Sequence, residues 1–139
     1  LLPPFEILDH TADIGLRARG ASLPELFVNA ALGLESIALD TDQLKATTAF
    51  ALSATGEDTE ALLVNWLNEI IYFLDGQRVA FSRFAVDDIN DRSITAKGWG
   101  EPRDFARHPA RLVVKAATYH QLKLASGHDG WTAEIFFDI

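Results

Sequence analysis

The order of apolar and polar positions divides the chain into segments of two different periods. Phe5 to Leu8 and Ile14 to Arg19 alternate, with Ile14, Leu16 and Ala18 on one face and Asp13, Gly15, Arg17 and Arg19 on the other. This period of two is the mark of half-buried strands. Ser22, with Glu25 three residues later, forms a capping box. Leu23, Leu26, Phe27, Ala30, Ala31, Leu34, Ile37 and Ala38 then recur at helical spacing, which predicts a helix from Leu23 to about Leu39. "TTAFALSATG" alternates again and ends at the turn-forming Gly56. Asp58 caps a second predicted helix whose stripe is Leu62, Leu63, Trp66, Leu67, Ile70, Ile71 and Leu74, with Gly76 as its stop.

From Arg78 onward the pattern reads as strands: "RVAFSRFAV", "SITAKGWGE", "RLVVKAATYHQLKLA" and "WTAEIFFDI". They are separated by the polar segments "DDINDR", "PRDFARHPA" and "SGHDG". Each helix has one face to bury, so the expected class is α+β, two amphipathic helices packed on a largely antiparallel or mixed sheet of about seven strands. No linker, repeat or low-complexity segment interrupts residues 1–139, and a single domain is expected.

Composition narrows the chemistry. The 139 residues include no cysteine, which excludes disulfides, thiolate catalysis and cysteine-rich zinc sites. Twelve Lys and Arg against twenty Asp and Glu give a net charge of -8, which repels a phosphate backbone, so direct nucleic-acid binding is not expected. An acidic protein of this kind can still serve RNA metabolism by docking on a basic enzyme. No apolar run has the length of a membrane span, and the opening "LLPPFEILDH" lacks the basic start and cleavage site of a signal peptide. A cytoplasmic protein is expected, its initiator methionine missing from the numbered chain.

Candidate chemistry gathers at two places. "DHTAD" brings His10 and Asp13 just ahead of an alternating strand, and in "WTAEIFFDI" Ala133, Ile135, Phe137 and Ile139 face one way while Thr132, Glu134, Phe136 and Asp138 face the other. A strand-end Asp138 beside a terminal carboxylate is repulsive unless a cation or a basic side chain lies between them. Asp13 would add a third carboxylate if the two strands are neighbours. Such oxygen ligands suit calcium, magnesium or manganese rather than zinc. The alternative needs no metal: Asp13 accepts from a strand-end turn, His10 is a solvated imidazole, and Asp138 pairs with Lys115 or an arginine. Spacing leaves both readings open, and the second is the commoner fate of short acidic clusters.

Other residues carry two readings as well. Lys115 falls on a face with Ala117, Tyr119, Gln121 and Lys123, either as a guard on an edge strand or as a ligand for phosphate or for the carboxylates. Glu69 shares a polar helix face with Asn65, Asn68 and Tyr72, the pattern of a solvated surface. Trp99, between Gly98 and Gly100, is either a core ring approached by backbone or a docking aromatic. His108, His120 and His128 lack metal-ligand spacing along any one element. The nucleophile elbow, Walker loop, dinucleotide fingerprint and HExxH helix are all absent from the sequence.

Five segments in order, "FEILDHTADIGLRARGASLPELFVNAALGL", "LLVNWLNEIIYFLD", "KGWGEPRDFARHP", "VVKAATYHQLKL" and "IFFDI", resemble the archease family over essentially the whole chain. Arg103 departs from the apolar or aromatic residue expected in that turn. The resemblance implies an accessory protein, not an enzyme, whose partner is the GTP-dependent RNA-splicing ligase of tRNA splicing. Such a protein promotes guanylylation of the ligase's active-site histidine and restores multiple turnover. It further implies a divalent metal on Asp13, Asp138 and Ile139, a functional lysine at Lys115, and His10 and Glu69 as neighbours of the site. It also supplies the context that spacing lacks, since it implies that the first and last strands meet. Two other functions remain as alternatives: a small metal-dependent phosphoester hydrolase, and a general protein-binding chaperone acting through an exposed apolar patch.

Overall fold

The period-two segments form seven strands and the segments of helical period form two helices. The computed structural model describes residues 2–9, 13–45 and 47–139. In chain order the elements are β1 (Phe5–Asp9), β2 (Asp13–Gly20), α1 (Leu23–Ala38), β3 (Thr48–Thr55), α2 (Thr59–Ile71), β4 (Val79–Ile89), β5 (Ser93–Pro102), β6 (Ala116–Gly127) and β7 (Gly130–Asp138). Both expected caps form: the Ser22 side chain accepts from the Glu25 N–H and the Asp58 side chain from the Ala61 N–H. The Glu25 carboxylate reaches back to the Ala21 N–H at 3.2 Å, so two otherwise orphaned donors are satisfied. The second helix continues from α2 into a π-helical turn at Tyr72–Gly76.

The strands divide between two sheets, where the sequence pattern suggested one. β1-β2-β7-β6 form a four-stranded sheet and β3-β5-β4 a three-stranded one, and every pairing is antiparallel. The middle strands pair with near neighbours in sequence, while β2 pairs with β7, which brings the two ends of the chain together.

Each helix touches both sheets, α1 lying against β2 and β4, α2 against β3 and β6. Leu16 and Ala18 from β2 are fully buried, as are Leu26, Phe27, Ala30 and Leu34 from α1. Gly33 allows the approach, because a Cβ there would lie 2.6 Å from a Leu16 methyl. The helices are joined by the buried Trp66, whose indole N–H donates to the Phe27 carbonyl at 3.0 Å. Its ring also meets Phe84 edge-on. Among the described residues, no helix is long and apolar enough to cross a membrane.

The segment read as one strand over "RLVVKAATYHQLKLA" is a strand only from Ala116, and Arg111–Lys115 precede it without regular structure. β6 is also irregular, with five steps from Thr118 to Lys123 facing two steps from Phe136 to Glu134, and with Gln121 at φ 54°. Simple alternation therefore fails across it. Ala117 is buried, whereas Tyr119 is 59% exposed, and Lys123 pairs with Glu134 on the outer face.

A carboxylate pair at the end of the four-stranded sheet

The outer face of the four-stranded sheet is built from the polar positions of β2 and β7. Their register sets Asp13 opposite Asp138, Gly15 opposite Phe136 and Arg17 opposite Glu134. Directly opposed residues on one face hold their Cβ atoms about 4.5–5.5 Å apart, so the Asp13 and Asp138 carboxylates are neighbours across 125 residues of chain. Asp138 is exposed and Asp13 half-buried.

Two of the remaining predicted residues, Lys115 and Ile139, adjoin this pair. The Lys115 backbone N–H donates to the Asp138 carbonyl at 2.9 Å, which pins the lysine beside the strand end. Its side chain is exposed, and neither Lys115 nor Asp138 forms an ion pair among the described residues. The direct Lys115–Asp138 pair of the metal-free reading is therefore not made. Ile139 follows Asp138 and is 40% exposed.

Glu69 lies half-buried on α2, where the neighbouring Asn68 carboxamide oxygen accepts from the Ala117 N–H at 2.8 Å. Asn65 likewise donates to the Thr55 carbonyl at 2.7 Å. The polar face of α2 is thus solvated at Asn65 and Tyr72, as its pattern suggested, and is also fastened to β6 and β3. Through Asn68 this helix is fastened to the start of β6, and among the described residues no bond joins Glu69 to the carboxylates. His10 lies outside the described residues.

A second group of charges shares the same outer face. Arg17 donates to Glu134 at 2.9 Å and lies 3.5 Å from Glu6, and Arg19 also pairs with Glu6. The Arg19 and Arg17 guanidiniums hold the Glu6 carboxyl below its usual range against the opposing effect of burial, and Glu134 raises Arg17 in return. Asp13 and Arg17 lie four strand steps apart, about 13 Å at 3.3 Å per residue. That exceeds the Debye length of roughly 8 Å at physiological ionic strength, so these guanidiniums do little to neutralise the Asp13–Asp138 end.

Between the two groups lies Phe136, which is 6% exposed although alternation turns it outward. A Cβ on Gly15 would come within 2.7 Å of the Phe136 ring and 2.9 Å of Leu8 Cβ, so glycine is what admits the ring at this position. Thr118 donates to the Phe136 carbonyl at 2.9 Å, and the His120 ring meets Phe136 at 6.5 Å between centroids. This apolar spacer escaped the sequence reading. Its one signal is a glycine where a polar strand position was due.

The chemistry available is that of hard oxygen donors: two carboxylates side by side, with the main-chain oxygen of Ile139 following. They fit a divalent cation of the calcium, magnesium or manganese type by donor class. Among the described residues, no group of three or more His, Asp or Glu side chains stands ready to hold a metal. The side-chain set is therefore a pair to be completed by main-chain oxygen, solvent or a partner.

The remaining polar features have structural roles. His108 is fully buried, accepting the Asp104 N–H on Nδ1 at 3.0 Å, so its proton sits on Nε2, which lies 3.6 Å from Glu101. Trp99 is half-buried under the Arg83 guanidinium, 3.8 Å from the ring centroid. Arg103, the departure in the turn, donates to the Leu74 carbonyl at 3.0 Å and ties the turn to the end of the second helix.

Comparison with known proteins gives a consistent picture. Residues 5–139 match the model of the Archease protein family (MTH1598/TM1083). A protein archease from Methanosarcina barkeri is 39% identical over 139 residues, covering 97% of this chain and 95% of the relative. One from Sulfurisphaera tokodaii is 36% identical over 137 residues, covering 97% and 98%. The solution structure of protein 1598 from Methanobacterium thermoautotrophicum superimposes with a TM-score of 0.83 at 33% identity, covering 98% of this chain and 99% of that one. A Thermotoga maritima crystal structure, described as an archease and possible chaperone, gives 0.61 at 23% identity, covering 95% and 94%, and supports the fold alone.

Proposed function

This chain belongs to the archease family, and from that premise we propose that it is a cytoplasmic accessory protein of the GTP-dependent RNA-splicing ligase, acting through the Asp13–Asp138 end of its four-stranded sheet. The observation that carries the reading is the direct opposition of Asp13 and Asp138 across the β2–β7 ladder. Carboxylates so placed repel each other and gain from a cation. Asp13, Asp138 and the main-chain oxygen of Ile139 would hold a divalent ion, which, when bound, supplies positive charge to phosphate oxygens of a nucleotide.

The chain's own residues do the rest. β2 and β7 fix the carboxylates at the tip, and Phe136 with Gly15 keeps the Arg17 network at a distance. Lys115, held by its backbone to Asp138 and exposed at its side chain, offers an ammonium to phosphate or to the carboxylates. The net charge of -8 steers the protein to a basic ligase surface. Docking there favours the ligase conformation in which its histidine attacks the α-phosphate of GTP.

Single-turnover guanylylation of the cognate ligase tests this, with GTP and magnesium or manganese. The wild type is expected to accelerate the step, and folded Asp13→Ala and Asp138→Ala variants to fail. Equal acceleration by both variants would remove the tip from the mechanism.

A second reading rests on another surface. Phe105 is 75% and Val113 66% exposed, with Leu112 also at the surface, and exposed apolar side chains of this size are what a protein-binding chaperone would use. Protection of an unrelated aggregating client by Asp138→Ala, lost on Phe105→Ser with Val113→Ser, would favour it. Hydrolysis of a phosphoester panel by the isolated protein, abolished by Asp13→Asn, would instead mark an enzyme.

A further inference from the structure

The two sheets end in four edge strands, β1, β6, β3 and β4. Three of them carry the devices that keep a sheet edge from pairing with another chain. β1 is short, follows Pro3 and Pro4, and holds Glu6 and Asp9. β6 is interrupted between Thr118 and Lys123, and β4 has register shifts and carries Arg83, Asp87 and Asp88. β3 has none of these. From Thr47 to Gly56 the chain has no charge and no proline, and the β3 register with β5 is unbroken.

The hydrogen-bond phase leaves alternate residues of β3 open. The Gly56 N–H donates to the Arg92 carbonyl at 2.9 Å, so in this register the even-numbered residues bond to β5 and the odd-numbered ones point their N–H and C=O groups away. The Thr55 carbonyl agrees, since it accepts from Asn65 on α2 at 2.7 Å. Ala49, Ala51 and Ser53 are exposed, and among the described residues nothing bonds to their outward backbone groups.

This open run is symmetric about Ala51. An antiparallel twofold that sets Ala51 against Ala51 of a second copy also sets Ala49 against Ser53, each pair exchanging both of its N–H···O=C bonds between small side chains. The same operator sets Thr47 against Thr55. There the Thr47 N–H already donates to the Lys45 carbonyl at 3.1 Å, and the Thr55 carbonyl is held by Asn65. The groups that would go unmatched at the two ends are thus the ones satisfied within the chain. Two residues further out Lys45 falls opposite Glu57, both exposed and neither in an ion pair among the described residues. A foreign strand would require none of this symmetry. We propose that β3 pairs antiparallel with β3 of a second copy, joining two three-stranded sheets across a twofold axis at Ala51, with Lys45 and Glu57 closing both ends. Edge pairing covers little surface, so the dimer is reversible and depends on concentration.

Sedimentation velocity of the full chain, from micromolar to millimolar concentration, tests this together with cysteine cross-linking, since the chain has no cysteine of its own. The wild type is expected to dimerise. Ala51→Cys should give a disulfide-linked dimer under mild oxidation, because residues so opposed hold their Cα atoms about 5.5 Å apart. Ala49→Cys alone should not, its two copies standing about 13 Å apart along the strand, but a mixture of Ala49→Cys and Ser53→Cys should. Ala51→Lys sets two ammoniums face to face at an exposed position and should weaken dimerisation about tenfold or more, with the unfolding midpoint of the monomer unchanged. Lys45→Glu and Glu57→Lys should each weaken it about threefold, and the double variant should restore it. The proposal is overturned if the folded wild type stays monomeric at millimolar concentration, if its dimer persists unchanged in Ala51→Lys, or if Ala49→Cys cross-links alone as readily as Ala51→Cys. A monomer whose Ala51→Lys variant no longer binds the ligase would likewise overturn it and assign the edge to that partner.

Discussion

Glu35 and Glu101 are 1% and 6% exposed, yet the chain meets the needs of these two buried carboxyls in opposite ways. Glu101 on β5 receives the Arg107 guanidinium across both oxygens, together with the Lys45 N–H at 2.7 Å. The Arg107 hydrogen bonds outweigh burial and hold the Glu101 carboxyl below its usual range. Glu35 on α1 receives only the Phe81 N–H, and burial pushes it up to about 8. Depth therefore does not set the charge of a carboxyl; the donors it meets do. Glu101 is answered by the turn that follows its own strand, because Arg107 lies six residues on. Glu35 faces the backbone of β4 from a helix, and no basic side chain is bonded to it.

The contrast gives the two residues opposite pH signatures. Glu35 has a folded pKa raised above 4.5, so between pH 4.5 and about 8 the unfolded chain ionises while the folded one keeps its proton. Stability falls as pH rises through that window. Glu101 has a folded pKa below 4.5, so its contribution is present above pH 4.5 and lost as pH falls through the folded value.

The largest effect should come from removing the Glu35 titration. Wild-type stability is expected to decline by on the order of 3–5 kcal/mol across its window, and Glu35→Gln to flatten that part of the profile in urea unfolding. Parallel profiles for the two proteins would break the comparison. Next, Arg107→Ala should cost about 2 kcal/mol at pH 7, with the deficit shrinking at acid pH as Glu101 protonates. A deficit that stays constant down to pH 3 would show Arg107 acting through packing instead. Arg107→Lys keeps the charge without the two-pronged geometry and should lose about 1 kcal/mol, read from the same denaturant midpoints. Smallest of all, Asp138→Asn should shift stability by no more than about 0.5 kcal/mol, because this carboxylate is exposed. Its effect belongs in the ligase assay. A large loss of stability there would turn Asp138 into a structural residue like Glu101.

Much of the fold was legible in the chain. The Ser22 and Asp58 caps stand where the residue types put them, and both helices begin at the expected residue or its neighbour. Alternation correctly set Asp13 and Asp138 on the polar faces of their strands. That those faces coincide became an expectation only through family resemblance, because pairing across 125 residues leaves no local mark. β6 misled for the opposite reason. Its residues alternate on paper, but the extra residues between Thr118 and Lys123 break the ladder and turn Lys123 to the outer face. Phe136 misled too, since an aromatic on an outward position buries itself when its cross-strand neighbour is Gly15.

The sequence by itself determined the class of each segment and which of its faces turns inward, since these follow from backbone periodicity and from withdrawing one apolar face from water. The tertiary structure decided how the strands divide into two sheets, that Glu101 meets a guanidinium while Glu35 does not, and that two aspartates from opposite ends of the chain stand side by side. Those outcomes depend on which distant groups come within a few ångströms of one another, and electrostatic and hydrogen-bond energies change steeply over that distance.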